Sequence, residues 1–168
     1  PIVSASEPYL DLADEIVDDD QSGGSSGNGD GALMACDTND HNVTLENLGG
    51  GEAVDAEATL SCASPDVTVL EDRIEFGSIA PHSEEESPTP FLVEIASAAP
   101  DGELVEFSLS VTAPGRTDWS HEFALPVSAP VLFHASHYLD DSSGNGNGCP
   151  EAGEAVRIGL SVSNEGSV

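Results

Sequence analysis

The chain has 168 residues, of which 32 are acidic and only three basic, giving a formal net charge of −29. That balance excludes nucleic acid and anionic membrane surfaces as partners, since both need clustered Lys and Arg. Self-repulsion of this size opposes compaction unless cations screen it, so either bound divalent ions or a saline medium is expected.

Taken in chain order, the predicted elements are strands separated by turns. A short strand is expected at 1–5. A loop of Gly, Ser, Asn and Asp runs from Asp18 to Gly31, followed by a strand that carries Asn39, His41 and the sequon Asn42-Val43-Thr44. Asn42 is the glycan acceptor that this sequon implies; an unmodified side chain is the alternative. Buried His41 reads as a core histidine, with a ligand role as the alternative. Val54, Ala56, Ala58 and Leu60 alternate with polar residues, the period of a half-buried strand. Short strands at 67–70 and 73–77 precede Glu84-Glu85-Glu86, which reads as a solvated acidic loop. Phe91, Val93 and Ile95 share a face. So do Val105, Phe107, Leu109 and Val111, and then Trp119, His121, Phe123, Leu125 and Val127. Turn signals such as Gly49-Gly50-Gly51, Pro100-Asp101-Gly102 and Pro114-Gly115 divide these runs. Seven or eight short strands at this spacing predict an all-β antiparallel sandwich of immunoglobulin-like type.

The Gly-rich loop then recurs. Asp140 to Gly148 repeats the first loop, and Gly27 set against Gly144 gives an offset of 117. At that offset Leu45–Gly49 falls on Val162–Gly166, while upstream Pro1-Ile2-Val3…Tyr9-Leu10 resembles Pro130-Val131-Leu132…Tyr138-Leu139. The expected organisation is a complete repeat at 1–129 followed by the opening third of a second at 130–168, with Pro130-Val131-Leu132 as hinge. Such repetition points to a tandem array. Asn39 and His41 fall on Val156 and Ile158, inward positions. Either the first strand starts later or its end is remodelled around Cys36.

Three further groups carry chemical expectations. Asp20, Asn28 and Asp30 in the first loop, and Asp141, Asn145, Asn147 and Glu154 in the second, offer short oxygen ligands on a flexible backbone, the kind calcium takes. A mobile polar linker without an ion is the other reading. Cys36 and Cys62 are expected to form a disulfide, with two buried thiols as the alternative, and Cys149 has no evident mate. His134 and His137, three apart on a strand, should face opposite sides and so not share a metal.

Gly27-Asn28-Gly29-Asp30-Gly31, the Glu151-Ala152-Gly153-Glu154 turn, and the strand ending in Asn-x-Gly together resemble immunoglobulin-like modules near the C-termini of secreted bacterial surface proteins, including gingipain-like cysteine peptidases. The first copy departs from that pattern, with Ala35-Cys36-Asp37 where Gly-Glu is expected. The resemblance implies an extracellular, accessory or structural domain without catalytic residues.

Catalysis is not expected on the residues either. A cysteine nucleophile needs a histidine base in an electropositive setting, the opposite of this chain, and no Gly-x-Ser-x-Gly elbow occurs. Val156, Ile158, Leu160 and Val162 form an apolar strand face that the partial repeat cannot cover alone. The functional expectation is a calcium-stabilised structural repeat of an extracellular filament, stalk or surface protein. It would assemble with copies of itself, head to tail, by completion of the partial repeat. The alternative is an accessory module of a secreted peptidase.

Overall fold

The computed structural model describes residues 6–116 and 118–168. The strand expected at 1–5 lies outside them. Among the described residues the fold is all-β, with twelve strands and no helix. The chain divides into two compact units, Pro1–Ser128 and Ala129–Val168.

The first unit holds two five-stranded sheets. One contains β1 (Leu10–Asp18), β3 (Thr38–Asn47), β8 (Phe91–Ile95) and β5 (Val67–Glu71) in that order, with β7 (Glu84–Glu86) also paired to β3. The other runs β2 (Leu33–Met34), β10 (Trp119–Ser128), β9 (Leu104–Thr112), β4 (Ala53–Cys62) and β6 (Arg73–Ile79). Every pairing is antiparallel except that of β2 with β10, where Leu33 lies opposite Val127.

Side-chain alternation sets the faces. On β9, Val105, Phe107, Leu109 and Val111 are buried while their neighbours are exposed or half-buried, because successive strand residues point to opposite sides. The same period buries Val43 and Leu45 on β3, Ala58 and Leu60 on β4, and Phe91, Val93 and Ile95 on β8. These residues from both sheets join one hydrophobic cluster, with Phe107 stacked on Phe123 of the next strand at 5.3 Å.

Three expectations need correction here. Glu84–Glu86 is strand β7, paired antiparallel with Thr44–Glu46. All three glutamates are exposed, so nothing in the side chains announces the pairing. Ser87 continues the contact, its N–H bonding the Val43 carbonyl at 2.8 Å, before Pro88 and Pro90 interrupt the ladder ahead of β8.

The Cys36–Cys62 disulfide is absent: all three cysteines are free thiols. Cys36 sits in the turn before β3 at φ 81° and donates its N–H to Ile95, so its backbone belongs to the β3–β8 sheet. Cys62 closes β4 in the other sheet, opposite Phe107, and its sulfur accepts the Ser64 N–H. β3, which follows Cys36, and β4, which ends at Cys62, are neighbours in sequence but lie in different sheets.

The two readings offered for Asn39 and His41 both give way. β3 begins at Thr38, and Asn39 and His41 point inward with no exposure, without any bridge to remodel the strand. His41 packs on the Phe107 ring at 5.4 Å and places Nδ1 3.0 Å from the Glu15 carboxylate.

The second unit is a two-stranded antiparallel sheet, β11 (Leu132–Asp140) with β12 (Arg157–Asn164). Val156, expected within the strand, falls just before it.

Candidate functional site

The two Gly-rich loops are organised around carboxylates that accept backbone N–H groups. Asp19 is the pivot of the first. One oxygen takes the N–H of Gly31 at 2.9 Å, and the other takes those of Asn28 at 3.1 Å and Gly29 at 3.2 Å. The side chain is 1% exposed. Burial pushes its pKa up, but the N–H bonds from Gly31, Asn28 and Gly29 outweigh that and hold it below the usual carboxylate value. Gly29 and Gly31 adopt φ of 78° and 75°, a left-handed conformation open to glycine at little cost. Gly27 is required for another reason, since a Cβ there would fall 2.4 Å from an Asp19 oxygen.

Asp37, half-buried, lies within the influence of this cluster. Burial and the negative charges of Asp19 and Asp30 raise its pKa.

The expected ligands are engaged in local turns. Asp20 accepts the Ser22 N–H at 2.8 Å, Asn28 accepts that of Asp30 at 3.0 Å, and Asp30 accepts that of Ala32 at 3.0 Å. The Asn28 amide also donates to Asp30. In the second loop Asp141 accepts the Gly148 N–H at 2.7 Å and Asn145 that of Asn147 at 3.0 Å. Asn147 takes that of Cys149 at 2.7 Å, and Glu154 takes those of Asn145 and Glu151. The loops therefore gather these residues, but aim their oxygens at N–H donors. Among the described residues no three His, Cys, Asp or Glu side chains are placed to hold a metal ion. The arrangement does not fit a formed calcium cage.

The two hairpins share strand register and one loop bond, Asp19 with Gly31 answering to Asp141 with Gly148, whereas the Asn28 bond to Asp19 is replaced by one from Asn145 to Glu154. Counterparts lie 122 residues apart on the first strand, Leu10 with Leu132, and 117 apart on the second, Asn47 with Asn164. Both hairpins carry a bulge at the matching alanine, between Leu12 and Asp14 and between His134 and Ser136. Asn47 accepts the N–H groups of Tyr9 and Gly49 at 3.1 and 3.0 Å, while Asn164 accepts those of Val131 and Gly166 at 2.8 and 3.0 Å. The Asn47 amide donates to Gly51, and the Asn164 amide donates to Val168. Leu10 thus answers to Leu132, which replaces the expected match of Tyr9-Leu10 with Tyr138-Leu139. The extra length of the first copy lies in its Gly-rich loop.

Exposure separates the two hairpins. Val43, Leu45 and His41 on β3 are fully buried. Their counterparts Leu160, Val162 and Ile158 on β12 are 71%, 65% and 64% exposed. Val156 is half-buried. Tyr138, on the opposite face, lies over Gly159, where a Cβ would meet its ring at 2.1 Å.

The bulge at Ala135 also overturns the expectation for the histidines. An extra residue in the strand restores parity, so His134 and His137 share a face, with Nε2 of His134 3.3 Å from Nδ1 of His137. Asn42, the sequon residue, is half-buried on β3 opposite Ile16. An open groove of about 440 Å³ in the first unit is lined by Cys62, Phe107 and Phe123 among others.

Asp19 was the residue that the sequence concealed. It sits within Asp18-Asp19-Asp20, and only its correspondence to Asp141 at the second Gly-rich loop could have singled it out. Compared with known proteins, the chain matches no protein-family model and no curated protein.

Proposed function

We propose that the chain is a non-catalytic structural module of an extracellular filament, stalk or surface protein, built from immunoglobulin-like β-repeats joined head to tail. The observation that carries this reading is the matched pair of hairpins, one buried against a second sheet and one bare. A hairpin with the same register, bulge and asparagine clamp is the opening of the same fold. Its apolar face then calls for the same kind of cover that β3 receives. Burying Ile158, Leu160 and Val162 would contribute about 1.5–3 kcal/mol per side chain, and leaving them bare invites edge pairing. A further β layer, supplied by the next copy, meets both demands and propagates into a fibre. Two sheets sharing one core, with an edge strand parallel to the last strand, support the immunoglobulin-like assignment.

Calcium enters this reading through the charge of −29. Because the loop carboxylates already accept N–H bonds, the proposal is limited to ions that neutralise Asp20 and Asp30, or Asp141 and Glu154, with the neutral amide oxygens of Asn28, Asn145 and Asn147 as further donors, without a preformed cage. The resemblance of the Gly144–Glu154 segment to modules of secreted peptidases favours a second reading, an accessory domain that docks or aids secretion. Sedimentation of the 168-residue chain distinguishes the two. Self-association that Leu160→Asp abolishes, with unchanged melting of the first unit, supports the filament reading. A chain that stays monomeric at every concentration overturns it.

A further inference from the structure

We propose that His134 and His137 form a binding site for a borderline divalent transition ion, zinc or copper, on the exposed face of the β11–β12 sheet. The argument starts from the bulge. Without it, residues three apart would straddle the strand; with it, both imidazoles rise from the same side, opposite Val162 and Leu160. Their facing nitrogens, Nε2 of His134 and Nδ1 of His137, stand 3.3 Å apart. Two nitrogens each bonded at 2.0–2.1 Å to a tetrahedral ion are separated by roughly 3.3–3.4 Å. The pair is therefore spaced as two ligands of one ion, and small rotations of two exposed rings suffice to turn both lone pairs toward it.

Two neutral imidazoles at this distance share one proton in an N–H···N bond. An ion replaces that bond with two metal–nitrogen bonds while the proton moves to the remote ring nitrogen, so neutral rings bind without net proton release. Protonated rings cannot bind, and acidification therefore expels the ion. Imidazole selects zinc, copper or nickel over calcium, which wants oxygen. Two coordination positions remain for water. The corresponding residues of the first unit, Leu12 and Glu15, contain no imidazole, so the site belongs to the second unit alone. Both rings stand on the face that carries Leu160 and Val162, so an ion and a covering copy would compete there, and the titration is made at a concentration where the chain is monomeric.

The test is zinc titration of the full 168-residue chain by calorimetry, with the cysteines alkylated so that thiols do not compete. Wild type is compared with His134→Gln and His137→Gln. Both residues are exposed, so the variants should melt like wild type. The expected result is one saturable site, weakened by each substitution at least ~10-fold, the loss seen when even an outer-shell partner is removed. Calcium response should not change. Copper(II) bound to the same chain should show nitrogen hyperfine structure from two imidazoles. Equal zinc affinity in wild type and both variants, or a copper spectrum from oxygen ligands alone, would overturn the proposal.

Discussion

The buried carboxylate of Asp19 accepts the backbone N–H of Gly31 at 2.9 Å, tying the end of β1 to the far side of a Gly-rich loop. The Asp141–Gly148 bond at 2.7 Å does the same in the second unit. Each loop is closed by the carboxylate that immediately follows its preceding strand. In the first unit two more bonds, from Asn28 and Gly29, reach the same buried carboxylate.

Asp19→Ala should therefore destabilise the first unit by about 1.5–3 kcal/mol, the range for loss of hydrogen bonds to a charged acceptor whose donors can turn to water. Asp20→Ala, on an exposed side chain one position along, should change stability little. Thermal melting of both variants checks the contrast.

The pH dependence follows from the lowered pKa of Asp19. Its folded value lies below the ordinary 3.8, so its contribution is fully present above that pH and fades as pH falls through the folded value. Asp37 has the opposite sign: its raised pKa opposes folding when ionised, and acidification relieves it. The stability gap between wild type and Asp19→Asn should therefore be constant near neutrality and narrow below about pH 4. A gap that widens on acidification contradicts the assignment.

Asn47 should matter as much. It is fully buried and uses both acceptor sites and both donor hydrogens, bonding Tyr9, Gly49, Gly51 and Ile79. Asn47→Ala is expected to cost about 2–4 kcal/mol in urea unfolding. Asn164→Ala, at an exposed position, should cost far less in the isolated chain.

The cysteines make a simple prediction. With three free thiols, a reductant should leave the melting temperature unchanged, and a thiol reagent should titrate three groups in the unfolded chain. A reductant-sensitive melting temperature would restore the disulfide.

Calcium should raise the melting temperature of chelator-treated protein more than sodium chloride at equal ionic strength, if the ion does more than screen. Equal effects of the two salts would reduce calcium to one screening cation among others.

What the sequence made legible was mostly the inward period. Val105–Val111 and Ala56–Leu60 announce β9 and β4 because there each strand alternates between a buried and a more exposed face, whereas Val54, expected inward with them, is 50% exposed since β4 is irregular between Ala53 and Ala56. β1 and β11 were obscured by their bulges, which shift the alternation at Ala13 and Ala135 and so also hid the shared face of His134 and His137. β7 is three exposed glutamates, held by its pairing to β3 and by Ser87, and composition cannot report a pairing. Cys36 and Cys62 stay apart because the chain crosses from one sheet to the other between β3 and β4, a crossing that residue spacing does not report. The loops were visible, but their chemistry was not. Asp, Asn and Gly at this spacing suit either a cation or a set of N–H bonds, and the backbone path decides between them.

The central claim is that the bare face of β12 is a surface that another copy covers. Its most direct test is hydrogen exchange and sedimentation on residues 1–168 beside residues 1–128. The account predicts a folded, monomeric shorter chain, and a longer chain that associates as concentration rises while the amides of 157–164 become protected. A longer chain that stays monomeric, with those amides protected equally at every concentration, would contradict it.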